Sequence, residues 1–151
     1  MTSASNDTET AVRRVLFLCT HNSSRSQMAE GFLQSRGGSR IAAFSAGTQP
    51  RTVHPLAIRA MAELGIDISE AAGHAAKGID AFAGQTFDLV VTVCDDAAEE
   101  CPFFPGARRQ EHWGFPDPSA ATGTEEERLA VFRQVRDAIS ARVDAFIAAS
   151  A

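Results

Sequence analysis

An apolar run that stops abruptly at a cysteine constrains the fold of this chain more than any other feature. Val15 to Leu18 are all large and apolar, and Cys19 follows them directly. A stretch of small and polar residues then leads to Arg25, and helix-like spacing of apolar residues begins at Ser26. A short buried strand that feeds a helix through a tight turn has this pattern. The sequence therefore predicts a strand, a loop and a helix in immediate succession.

The loop between this strand and helix has the composition of an oxyanion site. Its backbone N–H groups are expected at the positive end of the following helix, where anions bind favourably. Cys19 at the edge of such a site would be held as a thiolate, because the thiolate is itself an anion. The planar guanidinium of Arg25 can hold two oxygens of a tetrahedral anion. A structural cysteine beside a surface arginine is the alternative interpretation.

Composition and charge narrow the class of protein. The 151 residues fit one domain, and the formal charge of −5 argues against general binding to nucleic acid or anionic membranes. Three cysteines suggest no static disulfide framework, and neither a signal peptide nor a long apolar segment is evident. We therefore expect a cytoplasmic protein with reduced thiols. Residues 1–11 are predicted to be a disordered tail, and residues 12–151 the domain.

Strands and helices are predicted to alternate along the chain. The predicted strands are Arg13–Leu18, Arg40–Ser45, Phe87–Val93 and Gln110–Gly114. The predicted helices run from Ser26 to Gly37, from Pro55 to Gly65, and from a capping box at Thr124–Glu127 to about Phe146. Shorter helices are expected within 66–84 and between Cys94 and Cys101. This order indicates the α/β class, with one open four-stranded parallel sheet flanked by helices.

Two further cysteines flank an acidic segment after the third predicted strand. Cys94 and Cys101 enclose six residues, four of which are acidic. A zinc site that includes His112 has no common ligand spacing, and two inert buried cysteines are a second alternative. The redox interpretation is favoured because a thiol attacked by an oxidant needs another thiol to resolve it. Cys19 and Cys94 both follow strands, where ligands bind in open parallel sheets.

Two sets of motifs resemble a known protein family. The segment LCTHNSSRSQMAEG from Leu18 to Gly31 resembles the active-site loop of the low-molecular-weight tyrosine phosphatases. Other segments are similar to the thioredoxin-coupled arsenate reductases of that superfamily: Asp88–Cys94, Cys101-Pro102, Glu111–Phe115, Asp117-Pro118 and Gly123–Glu127. Ser119 stands where the phosphatases typically carry a tyrosine, and this chain contains no Tyr.

The resemblance implies a reaction and a set of site residues. The implied oxyanion-binding residues are Thr20, His21, Asn22, Ser23, Ser24, Arg25 and Ser26. Cys19 would attack arsenate, with phosphate and sulfate as competing oxyanions, and Asp117 would protonate the departing oxygen. Cys94 would then attack Cys19 and release arsenite, and Cys101 would attack Cys94. Thioredoxin would reduce the resulting Cys94–Cys101 disulfide, so no organic cofactor is implied.

The same resemblance leaves a metal site and two other functions to be considered. Some relatives bind potassium through residues that match Asn22, Glu30 and Ser45, with a carboxylate where His74 stands here. An imidazole is a poor ligand for a hard cation, so we expect at most weak potassium binding. A phosphatase that acts through a phospho-cysteine is the alternative enzyme, and a weak phosphatase side activity is expected in either case. A thiol redox sensor is the non-enzymatic alternative, but a sensor has no use for Asp117 as an acid.

Overall fold

One parallel sheet organises the structure, a computed structural model that describes residues 13–95 and 102–150. Its strands are β1 (Arg13–Cys19), β2 (Ile41–Gly47), β3 (Leu89–Thr92) and β4 (Gln110–His112). They lie in the order β2-β1-β3-β4, and every neighbouring pair is parallel. The predicted open four-stranded parallel sheet is confirmed. Its central strand β1 carries the cysteine that ends the apolar run.

Three α-helices within residues 13–95 and 102–150 flank the sheet. They are α1 (Arg25–Arg36), α2 (Pro55–Ala62) and α3 (Glu125–Ser150). Single 3₁₀ turns occur at Gly38–Arg40, Glu70–Ala72, Ile79–Phe82 and Pro118–Ala120. The Thr124–Glu127 capping box is present: the Glu127 N–H donates to Thr124 Oγ1, and the Thr124 N–H donates to Glu127 Oε1. No helix in the described part of the chain is long and apolar enough to cross a membrane.

Both faces of the sheet are buried, and the alternation of side chains along β1 shows why. Val15 and Phe17 pack into a core that includes the α-helices, whereas Leu16 and Leu18 pack into a second core on the opposite face. Cys19 lies on the first face, within the core that contains α1. A strand buried on both sides needs a continuous apolar sequence, which is what β1 has.

Several predicted boundaries are wrong. Strand β2 extends to Gly47 instead of Ser45, because it pairs with β1 as far as Cys19. Helix α2 ends at Ala62 rather than Gly65, and Gly65 adopts φ 77° in the turn beyond it. The region 66–84 holds two 3₁₀ turns in place of a short α-helix, and the first ends at Gly73 with φ 94°.

Smaller differences affect the other two strands. Strand β3 is shorter than the predicted Phe87–Val93, and β4 ends at His112 before the predicted Gly114. Two predictions fall outside the described residues: the disordered tail at 1–11 and the helix between Cys94 and Cys101.

Candidate active site

The loop from Cys19 to Arg25 is anchored to segment 48–54 by hydrogen bonds that its carbonyl groups accept. The carbonyl oxygens of Cys19, Thr20, His21 and Ser23 accept hydrogen bonds from the backbone N–H groups of Thr48, Gln49, Arg51 and His54, over 2.7–3.3 Å. With these carbonyls turned toward segment 48–54, the loop's N–H groups are left for its inner side. Asn22 closes the turn with φ 51°, a left-handed conformation that Asn tolerates better than most residues. The loop therefore has the form of an anion cradle at the start of α1.

The thiol of Cys19 lies in this cradle among hydrogen-bonding groups. Cys19 is free, and only 2% of its surface is exposed. Its Sγ lies 2.9 Å from Ser26 Oγ, and the Asn22 backbone N–H donates to the same sulfur over 3.2 Å. Hydrogen bonds to a charged sulfur favour its charged form. This geometry suits a thiolate nucleophile.

Gly47 supports the cradle from β2. A Cβ atom at Gly47 would lie 2.6 Å from the Thr20 carbonyl oxygen and 2.8 Å from the Asn22 nitrogen. Only a residue without a side chain permits this approach of two backbones. The Ala46-Gly47 pair that ends β2 therefore shapes the loop, a role that sequence reasoning did not assign to it.

Arg25 and Asp117, two of the residues predicted to be catalytic, lie close together beside the loop. Arg25 is 3% exposed, and its Nη1 donates to the Phe115 carbonyl over 3.1 Å. Its Nη2 lies 3.8 Å from Asp117 Oδ2. The other oxygen, Asp117 Oδ1, accepts from both the N–H and the hydroxyl of Ser119. Asp117 is therefore fixed near the loop with one oxygen facing the guanidinium, and its side chain remains 31% exposed.

Cys94 lies at the same end of the sheet as Cys19. The Val93 N–H donates to the Leu18 carbonyl over 2.9 Å, which continues the pairing of β1 and β3 beyond Thr92. Cys94 follows directly, is fully buried and takes part in a disulfide. The third predicted cysteine, Cys101, lies outside the described residues.

The remaining loop side chains differ in their surroundings. The His21 ring is placed against segment 48–54, with Nδ1 3.0 Å from the Gln49 carbonyl. Ser24 Oγ is buried and has no hydrogen-bond partner in the described part of the chain. Ser26, in contrast, accepts a hydrogen bond from Asn22 Nδ2 over 2.8 Å in addition to contacting the thiol.

Sequence reasoning missed Gln27, a fully buried polar residue beside the cradle. Its Nε2 donates to Asn22 Oδ1, and its Oε1 lies 3.0 Å from His74 Nδ1. A polar residue beside Arg25 and Ser26 on a buried helix face was the available signal, but its partner His74 is 47 residues away.

The residues matched to a potassium site lie in this same buried region. Ser45 Oγ donates to Glu30 Oε1, and Gln34 Nε2 donates to Glu30 Oε2. His74 Nδ1 lies 3.8 Å from Glu30 Oε1. Burial raises the pKa of Glu30, against the opposing effects of the Ser45 hydrogen bond and the Lys77 charge. Over residues 13–95 and 102–150, no three His, Cys, Asp or Glu side chains are grouped to hold a metal ion.

Comparison with known proteins shows which family the chain resembles. The family model for low molecular weight phosphotyrosine protein phosphatase matches residues 14–150. An arsenate reductase of Halalkalibacterium halodurans is 48% identical over 132 residues, which are 87% of this chain and 93% of that protein. An arsenate reductase of Bacillus subtilis is 47% identical with the same coverage.

Solved structures give the same result. An arsenate reductase in the phosphate binding state is 35% identical, with a TM-score of 0.72, covering 91% of this chain and 98% of that one. A thioredoxin-dependent arsenate reductase of Corynebacterium glutamicum is 26% identical, with a TM-score of 0.66, covering 99% of this chain and 69% of that one. The chain belongs to the low molecular weight phosphotyrosine protein phosphatase family, among relatives that are arsenate reductases.

Proposed function

We propose that this protein reduces arsenate to arsenite, with Cys19 as the nucleophile and Cys94 as the second thiol. The observation that carries the proposal is Cys94, which follows the strand next to β1 and is already in a disulfide while Cys19 is free. A phosphatase that acts through a phospho-cysteine needs only the first cysteine. The relatives named as arsenate reductases support the same choice.

The first step joins the thiol to arsenic. The Cys19 thiolate attacks As(V), the loop N–H groups and Arg25 hold the arsenate oxygens, and one oxygen leaves as water. Asp117 supplies the proton for that oxygen, since a carboxyl group near the guanidinium can reach a leaving group bound there. The product is a covalent bond between Cys19 Sγ and arsenic, with arsenic still As(V).

The second step transfers two electrons. The Cys94 thiolate attacks Cys19 Sγ, the S–As bond breaks, and its electron pair remains on arsenic, which leaves as arsenite. Cys101 then attacks Cys94 and frees Cys19, and the Cys94–Cys101 disulfide retains the oxidation. A dithiol reductant returns that disulfide to two thiols, so the cycle balances.

The register of the strands supports a direct attack of Cys94 on Cys19. The pairing of Leu18 with Thr92 places Cys94 one residue further along its strand than Cys19. A strand spacing of ~4.8 Å and an offset of ~3.3 Å give a Cα separation of about 6 Å. A disulfide accepts Cα separations of about 4.4–6.8 Å.

Thioredoxin is the reductant that we propose for the final step. The Corynebacterium glutamicum relative is a thioredoxin-dependent arsenate reductase, and the motifs around Cys94 and Asp117 resemble that branch of the family. Reduction by a thioredoxin system would accord with a cytoplasmic location, which stays a prediction. A weak phosphomonoesterase activity is part of the same proposal, because the first step needs only the loop, Arg25 and Asp117.

The decisive experiment follows arsenate-dependent NADPH consumption with purified thioredoxin and thioredoxin reductase. We expect turnover that requires arsenate and ceases in Cys94→Ser. The same variant should still hydrolyse an aryl phosphate, because that reaction needs no second thiol. Aryl phosphate hydrolysis without any arsenate-dependent NADPH consumption would identify a phosphatase instead.

A further inference from the structure

A chain of four buried side chains leads from the region of Glu30 to the thiol. It runs from His74 through Gln27, Asn22 and Ser26 to Cys19, and its contacts span 2.8–3.0 Å. His74 is 6% exposed, and the other three links are fully buried. The roles assigned above to the loop and to Arg25 leave His74 and Gln27 without a function.

Two backbone groups fix the direction of hydrogen bonding in this chain. The Lys77 N–H can only donate, and it lies 2.8 Å from one side-chain atom of Asn22, which must therefore be the oxygen Oδ1. The Ala75 carbonyl can only accept, and it lies 3.4 Å from one side-chain atom of Gln27, which must be the nitrogen Nε2. Both amide orientations follow from these anchors.

The fixed amides determine the tautomer at one end of the chain. Because Gln27 Nε2 faces Asn22, Gln27 Oε1 faces His74 Nδ1 and can only accept. His74 must therefore carry its proton on Nδ1. The imidazole acts as an N–H donor into the chain.

The same logic determines the proton at the other end. Asn22 Nδ2 can only donate, so Ser26 Oγ accepts from it. The hydroxyl proton of Ser26 is then available for its other neighbour, Cys19 Sγ, at 2.9 Å. Every link therefore donates in one direction, toward the sulfur.

These occupied groups do not fit an alkali ion. Asn22 Oδ1 already accepts from the Lys77 N–H and from Gln27 Nε2. Ser45 Oγ donates to Glu30, whose other oxygen accepts from Gln34. Potassium needs several oxygen ligands free, and the imidazole of His74 supplies an N–H donor in their place.

We propose that His74 and Gln27 are positioning residues that aim the Ser26 hydroxyl proton at the Cys19 sulfur, and that this donor chain serves in place of a bound alkali ion. It rests on the proposed function only in taking Cys19 as the nucleophile. A chain of aligned donors strengthens the last hydrogen bond, and that bond stabilises the thiolate.

The test measures the rate at which iodoacetamide alkylates Cys19 at one fixed pH, in a Cys94→Ser/Cys101→Ser background. His74→Leu removes the donor at similar volume, and we expect alkylation to slow about fivefold, the effect of losing about one hydrogen bond. His74→Asn keeps an N–H near the position of Nδ1 and should restore the rate to within about twofold. Gln27→Glu removes the N–H that donates to Asn22, so it should slow alkylation about as much as His74→Leu. This second variant tests the proposal even if His74→Leu does not fold.

Controls separate positioning from general destabilisation. His112→Leu removes an imidazole that contacts Thr92 and is not part of the donor chain from His74 to Cys19, so it should leave the alkylation rate unchanged. Circular dichroism melting verifies that each variant is folded. Wild-type alkylation rates in folded Gln27→Glu would overturn the proposal, as would equal slowing by His74→Asn and His74→Leu.

Two further measurements test the direction of the chain and the role of potassium. NMR of ¹⁵N-labelled protein should show the His74 proton on Nδ1, and a neutral ring protonated only on Nε2 would refute the assignment. Replacing NaCl by KCl at equal ionic strength should change neither the alkylation rate nor the melting temperature. A potassium-specific increase in either would refute the proposal that the donor chain serves in place of an alkali ion. Alkylation needs neither arsenate nor thioredoxin. A failure of the reductase assay would therefore count against the proposed function and leave the test of the donor chain unaffected.

Discussion

Gly47→Ala is expected to damage the reaction through the backbone of the loop. The new methyl group would lie 2.6 Å from the Thr20 carbonyl oxygen and 2.8 Å from the Asn22 nitrogen. Both contacts are with backbone atoms, which cannot turn aside as the end of a flexible side chain can. The loop must therefore move away from β2, or β2 must move away from the loop.

The size of that movement follows from the contacts. Ordinary contacts of a Cβ atom begin at 3.4 Å, so the Thr20 oxygen must retreat by about 0.8 Å and the Asn22 nitrogen by about 0.6 Å. The Asn22 N–H donates to Cys19 Sγ, and its displacement weakens that hydrogen bond directly. A misplacement of ~1 Å can cost ~10²-fold in rate, so we expect a loss of about 10- to 100-fold.

Gly78→Ala is the matched control for this variant. Gly78 pairs with Gly47 in an isolated parallel bridge, but a Cβ there would meet Pro50 at an ordinary distance of 3.7 Å. Both variants would be assayed for arsenate-dependent NADPH consumption and aryl phosphate hydrolysis, with melting temperatures measured alongside. Gly78→Ala should retain nearly full activity. Activity of folded Gly47→Ala within about threefold of Gly78→Ala would refute the close-approach argument.

Three other perturbations have distinct expected outcomes. Asp117→Asn should lower the rate of both reactions by ~10²–10⁴-fold while inhibition by phosphate persists, and a comparable loss of phosphate inhibition would argue against the acid role. Cys101→Ser should stop multiple turnover with thioredoxin but spare aryl phosphate hydrolysis, so full thioredoxin-linked turnover would contradict the relay. Hydrogen bonds from Arg133 lower the pKa of Glu63 from 4.5 to about 2, so this group stabilises the fold above pH 4.5 and ceases to do so as pH falls toward 2. Glu63→Gln should therefore lose less stability than the wild type in acid melts over that range, and identical pH profiles would exclude the contribution.

Local signals in the sequence were enough to predict the framework and the end of the sheet at which the candidate site lies. The apolar run before Cys19 is a strand because its side chains fill cores on both faces, and Arg25 begins the helix after the loop. The confirmed sheet follows from such runs alternating with helices. Asp117, nearly a hundred positions from Cys19, was predicted by family resemblance, and it lies 3.8 Å from Arg25.

Long-range contacts account for what sequence reasoning did not predict. Strand β2 continues to Gly47 because its partner β1 continues, a property of the pair and not of the segment. The polar contacts of Gln27 join α1 to residues some fifty positions later, and composition gives no information about such a pairing. The region 66–84 is rich in alanine, yet glycines in left-handed or turn conformations limit it to 3₁₀ turns.

The outward hydrogen bonds of the loop carbonyls have a consequence for selectivity. A cradle fastened by four backbone contacts to segment 48–54 is rigid before any ligand arrives, and it cannot reshape itself for anions of nearly equal size. Phosphate, which closely matches arsenate in shape and charge, is then expected to occupy it as a competitor. Discrimination between the two falls on the step after the sulfur bond has formed, because As(V) can keep the electron pair of that bond and leave as arsenite, whereas P(V) is not reduced in this way. In the proposed mechanism, the site binds both anions, but only arsenate is reduced.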